Sequence, residues 1–306
     1  PPGSAVVEHS GVGGAIDTTE RTRRVGGRMG RTRTADWGTF YVTGGGSGIG
    51  RHLAGLLAAR GASVAVFDRS IPAEVRGEIE RARSDVDQQV RTAEVDVCDA
   101  DALAAAVAEA VAAIGAPRLA INSAGVSIND RFAEAKREDF ERTVAVNLFG
   151  SRNFAAAVLP HMGTGSRLGL IASLAGITGG YTYAGYAASK AGVIGLARVL
   201  RLEYAPEGIG LSVICPSEIM TPMVRQYDAT MHPATRALKD VAGTLPIDEA
   251  CREMLDGLAR GRFTVIPGAK ARRAALMTRM LPERVTTAVA DRIVARAVKS
   301  AGRNDL

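Results

Sequence analysis

From Thr39 onward the chain alternates short, apolar, β-prone runs with helical stretches, the pattern of a parallel sheet joined by crossover helices. Candidate strands fall at 39–43, 63–67, 91–96, 118–122, 167–172, 210–215 and 263–267, with helices over Asp101 to Ile114, Glu138 to Leu159 and Tyr186 to Tyr204. Leu168 to Ala172 and Leu211 to Cys215 are almost continuously apolar, which suits strands covered on both faces. The fold class this predicts is α/β, a doubly wound parallel sheet of about seven strands in a single domain. Right-handed crossovers bring the C-terminal ends of the strands to one edge, where ligand sites form in such sheets. Gly44, Asp68, Asp96, Asn122, Ser173 and Pro216 each stand at such an end.

Residues 39–50 run from an apolar strand through a glycine-rich turn into an apolar helix, Leu53 to Ala59. That context lets backbone approach a phosphate at a helix N-terminus. The spacing is T-G-x-x-x-G-x-G on Thr43, Gly44, Gly48 and Gly50, with Ser47 and Ile49 between the glycines. The second run, Ser63 to Phe67, ends in Asp68, at the distance where an acidic side chain meets the adenosine ribose of a dinucleotide. A carboxylate there accepts from both ribose hydroxyls and repels a 2′-phosphate, so NAD is expected over NADP. Arg69 softens that repulsion, and Ser47 adds no charge.

Tyr186 and Lys190 are four residues apart and share a helix face, with Ser173 thirteen residues upstream of the tyrosine. A phenol titrates near about 10 when unperturbed, and a neighbouring ammonium favours its phenolate. The pair is expected to move a proton on or off an alcohol oxygen, with Ser173 bonding that oxygen. Asn147 lies inside a helical pattern that asparagine does not favour, which calls for a specific polar contact.

Together these motifs resemble the short-chain dehydrogenase/reductase family over roughly Thr39 to Gly268. The resemblance implies a Rossmann-type sheet and hydride transfer between a nicotinamide cofactor and an alcohol or ketone. It makes Asp96 and Val97 the pair beside adenine, and sets Asn122, Ala124 and Gly125 at the cofactor after the fourth strand. It makes Asn147, Ser173, Tyr186 and Lys190 a catalytic tetrad, with Lys190 also on the nicotinamide ribose. Pro216, Ile219 and Thr221 fall beside the nicotinamide. Ser123 and Ser217 depart from the family's asparagine and glycine. A homo-oligomer, dimer or tetramer, is expected.

The net charge of +6 resides at the ends. Residues 269–306 carry nine Arg/Lys against three Asp/Glu, and residues 1–37 carry six arginines against four acids, leaving the body at −2. With no aromatic-basic face in the body, nucleic-acid binding is not expected. Cys98, Cys215 and Cys251 are far apart, as are the four histidines, so neither disulfide nor metal spacing is present and a cytoplasmic setting is expected. Residues 1–37 read as a disordered or loosely attached arm. The C-terminal extension, 269–306, reads as amphipathic and basic, with a stripe of Leu276, Met280, Val285, Val289, Ile293 and Val298. Two placements are open: docking on the body or a second subunit, or peripheral contact with the inner face of an anionic membrane.

Between Met220 and Leu245, the apolar Met220, Pro222, Met223, Val224, Tyr227 and Met231 are expected to form a lid for a hydrophobic substrate. Glu218 fits either the site or solvent. The leading expectation is an NAD-dependent oxidoreductase for a hydrophobic secondary alcohol or ketone. The tail resembles branches that act on long-chain lipids. A 3-oxoacyl-thioester reductase is the enzymatic alternative, disfavoured by Asp68. A dinucleotide-sensing regulatory protein is the non-enzymatic one, disfavoured by the intact Tyr186 and Lys190.

Overall fold

The computed structural model describes residues 37–222, 224–225 and 231–304. The expected arm therefore lies outside the described residues except for Trp37, as do Met223 and Tyr227 of the expected lid. The first half runs β1 (Thr39–Thr43), α1 (Gly48–Ala58), β2 (Ser63–Asp68), α2 (Ala73–Ala82), β3 (Val90–Glu94), α3 (Ala100–Ile114) and β4 (Leu119–Asn122). It continues through α4 (Arg137–Val144), a π-helical turn (Ala145–Phe149) and α5 (Gly150–Val158) to β5 (Arg167–Ile171). Then come α6 (Ala175–Thr178), α7 (Ala184–Tyr204), β6 (Gly210–Ile214), β7 (Glu218–Ile219), α8 (Pro233–Ala242) and β8 (Thr244–Leu245). The chain ends with α9 (Ile247–Ala259), β9 (Thr264–Val265), α10 (Ala269–Met280) and α11 (Glu283–Asn304).

Seven strands form one parallel sheet in the order β3-β2-β1-β4-β5-β6-β9. All seven candidate strands are present, each within a residue or two of its expected span. Strand order reverses between β1 and β4, which opens a crevice beyond Thr43 and Asn122. The near-continuous apolar runs have the expected cause. In β1, Phe40 and Val42 pack on one face with Leu53, Leu57 and Leu255, while Tyr41 packs on the other with Phe67 and Phe154. All three β1 residues are fully buried, each contributing about 1.5–3 kcal/mol.

Two expectations need correction. The helix expected over Glu138 to Leu159 is interrupted by the π turn, which places Asn147 on an inward bulge. The tail does dock on the body, α11 lying along α8 and α10 against α6 and α8, but through a different stripe. Its inner face is made of Ala271, Ala274 and Ala275 on α10 and Thr286, Ala290, Ile293 and Val294 on α11. Of the expected stripe only Ile293 is partly buried; Leu276, Met280, Val285, Val289 and Val298 are exposed. On α10 small side chains take the buried face because they let helices approach closely, which a count of large apolar residues does not register; α11 keeps Ile293 and Val294 inward. Among the described residues, no helix is long and apolar enough to cross a membrane.

Candidate active site

The strand ends and the first turns of α1 and α7 enclose one continuous cleft of about 1010 Å³. At its cofactor end the turn after β1 is held by backbone contact. A Cβ on Gly50 would lie 2.3 Å from the Gly44 carbonyl oxygen, so no side chain fits there, and Gly44 itself has φ +66°. Gly44, Ser47, Gly48 and Ile49 line the cleft, whereas Gly50 works from behind the turn. Ser47 is the N-cap of α1, yet its side chain makes no capping hydrogen bond, leaving the helix N-terminus open to an anion.

Asp68 lines the cleft and accepts from the Gly46 amide at Oδ2 (2.9 Å) and weakly from Ser70 at Oδ1 (3.4 Å). Each oxygen retains a further lone pair for a ribose hydroxyl. Arg69, Asp96 and Val97 line the same wall, Asp96 accepting from the Cys98 amide. Ala124 and Gly125 line the cleft; Asn122 does not. Its side chain is fully buried, accepting from Thr43 Oγ1 and donating to Ser151 Oγ at 2.8 Å. It ties β4 to β1 and α5 and is a strut beneath the site.

Asn147 is likewise committed. Its amide donates to the Val126 carbonyl (2.9 Å) and to Ser189 Oγ (3.0 Å), and its Oδ1 accepts from the Val126 amide (2.8 Å). The bulged helix thus grips the loop after β4 and holds Gly125 beside the tetrad. A Cβ on Gly125 would stand 3.1 Å from Asn147 Oδ1 and 3.3 Å from Lys190 Nζ.

Ser173, Tyr186 and Lys190 come together at the middle of the cleft. Tyr186 sits in the first turn of α7, its ring edge-on to Tyr183 at 5.4 Å between centroids. Burial pushes its phenol up to about 12, opposed by a hydrogen bond with Ser173. Lys190 is buried, donates to the Ile171 carbonyl at 2.9 Å and lies 5.7 Å from the Tyr186 ring centroid. Burial brings the ammonium down to about 8. Desolvation is the largest influence on both groups, and in this geometry it outweighs any lowering of the phenol by the ammonium.

Pro216, Ser217, Ile219 and Thr221 line the cleft beside the tetrad. Ser217 Oγ is buried and, among the described residues, has no hydrogen-bond partner. A buried hydroxyl left unpaired costs free energy unless a ligand bonds it. With the open α1 N-terminus and the free acceptor capacity of Asp68, it makes the residues present fit a dinucleotide whose polar end reaches Ser217.

The far end was less legible. Pro222 and Val224 line the cleft as expected, but Met220 and Met231 do not. Leu238, Val241 and Ala242 of α8 face it, with Met277 of α10, Leu281 just beyond that helix and Val294 of α11. No spacing signal joins these to Tyr186, since they are distant in sequence. Glu218 lines the cleft, as the first of its two expected placements has it, and does not face solvent. Its side chain is 2% exposed and accepts from Lys239, from Arg236 (2.8 Å) and from Thr244 (2.8 Å), pinning α8 against β7 and β8. Lys239 Nζ lies 5.7 Å from the Tyr183 ring centroid, so the same anchor reaches the wall of the active site.

Comparison with known proteins agrees with this geometry. The family model described as short chain dehydrogenase matches residues 39–232. A 3-dehydrosphinganine reductase of Arabidopsis thaliana is 33% identical over 232 residues, covering 74% of this chain and 68% of that protein. A cyclohexanol dehydrogenase of an Acinetobacter species is 33% identical over 210 residues, 64% of this chain and 80% of that one. The crystal structure of a levodione reductase superposes with a TM-score of 0.68 at 28% identity, covering 79% of this chain and all of that one. With the sheet order, the glycine turn and the Ser173–Tyr186–Lys190 cluster in place, the chain belongs to the short-chain dehydrogenase family.

Proposed function

We propose that this oxidoreductase interconverts a hydrophobic secondary alcohol and its ketone, with Tyr186 as the acid/base and NAD as the preferred cofactor. The observation that carries the reading is the meeting of Ser173, Tyr186 and Lys190 midway along a cleft with a glycine turn at one end and apolar side chains at the other. In the reducing direction the Tyr186 hydroxyl donates its proton to the carbonyl oxygen while the Ser173 hydroxyl donates a second hydrogen bond. Hydride exchange at the substrate carbon is the chemistry the nicotinamide supplies when bound. Lys190 sits beneath the phenol, where an ammonium brought down to about 8 exchanges protons near neutrality. Asn147 acts through position, fixing Val126 and Ser189 around the pair.

The relatives' names support the reaction class: one denotes a reductase, another a dehydrogenase of a secondary alcohol. The apolar wall of Ile177, Leu238, Val241, Met277, Leu281 and Ile293 supports a hydrophobic substrate. Exposed Phe140, Phe149, Val199 and Leu202 on α4, the π turn and α7 support a homo-oligomer in which they are covered. The test is a turnover screen with NAD and NADP across steroid, retinoid, long-chain acyl and short-chain alcohols and ketones. A hydrophobic secondary alcohol or ketone is expected to give the highest kcat/KM; no turnover in any class would end this reading.

Asp68 carries the cofactor preference. Asp68→Ala should lower kcat/KM for NAD by about tenfold or more, the worth of charged hydrogen bonds lost, and raise it for NADP. An unmutated enzyme that favours NADPH would show that Arg69 outweighs the carboxylate.

A further inference from the structure

Six of the sixteen large apolar side chains exposed among the described residues fall within residues 276–289: Leu276, Met277, Met280, Leu281, Val285 and Val289. They gather where α10 gives way to α11. Met277, Leu281 and Val289 also line the cleft, so the patch is its rim. Arg273, Arg279, Arg284 and Arg292 are exposed around it, and among the described residues none of the four makes an ion pair. We propose that this corner docks on an anionic lipid bilayer and that a hydrophobic substrate enters the cleft through it. The entry step rests on the function proposed above; the docking does not.

Three observations lead there. The inner faces of α10 and α11 are already occupied against α6 and α8, so the outward residues are surplus to docking the tail on its own body. On α10, exposed Arg273, Leu276 and Met280 point away from buried Ala271 and Ala275, and Arg279 is exposed in the last turn. Arginines interleaved with apolar side chains suit a helix lying in a membrane interface, its guanidinium groups at the phosphates and its apolar groups below them. Charge also separates a bilayer from a second copy of the chain. A two-fold contact places the same net-basic patch against itself, four arginines against only the two acids Glu283 and Asp291 of that stretch. An anionic surface neutralises them instead.

The test uses the full chain and vesicles of phosphatidylcholine with or without phosphatidylserine. The protein should co-sediment with the serine-containing vesicles at low salt and be released as salt rises, because surface charges are screened beyond about 8 Å at physiological ionic strength. Each arginine is worth roughly fivefold in partitioning, so an Arg279→Ala/Arg284→Ala variant should bind on the order of twenty-five times more weakly. Leu276→Asp/Met280→Asp should also lose binding. Both variants alter exposed residues outside the cleft lining, so melting temperature, elution volume and turnover of a water-soluble substrate should not change. Intact protein that ignores the anionic vesicles would overturn the proposal, as would a Leu276→Asp/Met280→Asp variant that turns a dimer into monomers. Sedimentation is read without catalysis, so failure of the dehydrogenase reading leaves this result standing, and the reverse also holds.

Discussion

Tyr186→Phe is expected to lower kcat by about 10²- to 10⁴-fold, the usual worth of a positioned acid/base, while the Kd for NAD stays within about twofold. The split follows from geometry: the variant removes one oxygen and keeps the ring edge against Tyr183, and Lys190 remains bonded to Ile171. Steady-state kinetics and a fluorescence titration of the cofactor separate the two effects. The direction of the tyrosine's shift adds a pH signature. Burial favours the neutral phenol up to about 12, so the proton donor needed for ketone reduction is present throughout the neutral range. Alcohol oxidation needs the phenolate, whose population rises about tenfold per pH unit below that value. Oxidation should therefore climb with pH while reduction stays level. An oxidation rate that is flat from neutral to alkaline pH would remove Tyr186 as the group that titrates.

Glu218→Gln should have the largest effect on stability. Burial alone would raise this carboxyl, but hydrogen bonds from Lys239, Thr244 and Arg236, and the charge of Lys239, hold it below the usual carboxylate range. The amide can replace some of these bonds but not the charge that balances a largely buried ammonium. Removing one partner of such a pair costs about 2–3 kcal/mol after allowing for the partial exposure of Arg236, or roughly 5–10 °C in Tm for a domain of this size. The sign with pH is set by the depressed pKa. The stabilisation is complete above the unfolded value of about 4.3 and disappears as pH falls through the lower folded value. The Tm gap between the two proteins should therefore be wide at neutral pH and close in acid. Because α8 walls the substrate end, the variant should raise KM more than it lowers kcat. Equal Tm values at neutral pH would show that the network contributes nothing to holding α8.

Local pattern explains why the sheet and the cofactor end were readable. Strands such as Thr39–Thr43 are buried on both faces, so their composition alone identifies them, and their C-terminal ends carry chemistry because the crossover rule puts them on one edge. The glycine turn, Asp68 and the Tyr186–Lys190 spacing are short-range features, visible without knowing what packs where. Helix α2 was not anticipated, since of its ten residues only Val75 and Ile79 are buried and its apolar signal is weak.

What tertiary structure alone decided concerns environments and partners distant in sequence. Whether a polar residue at a strand end or in a helix faces ligand or core depends on the element packed behind it: Ser151 and Thr43 claim Asn122 at the end of β4, and Val126 claims Asn147 in the π turn. A four-residue spacing places a lysine near a tyrosine, but only burial sets the direction in which each titrates. The sequence by itself therefore determined the fold class and the sheet edge that carries the cleft, and it singled out the group proposed to react. Packing decided that Glu218 is an anchor, that Ser217 Oγ has no partner among the described residues, and that α10 seats through alanines while α11 uses Ile293 and Val294. The reason is physical: close approach and desolvation depend on three-dimensional neighbours, and the residues that became neighbours here have no periodic relation along the chain.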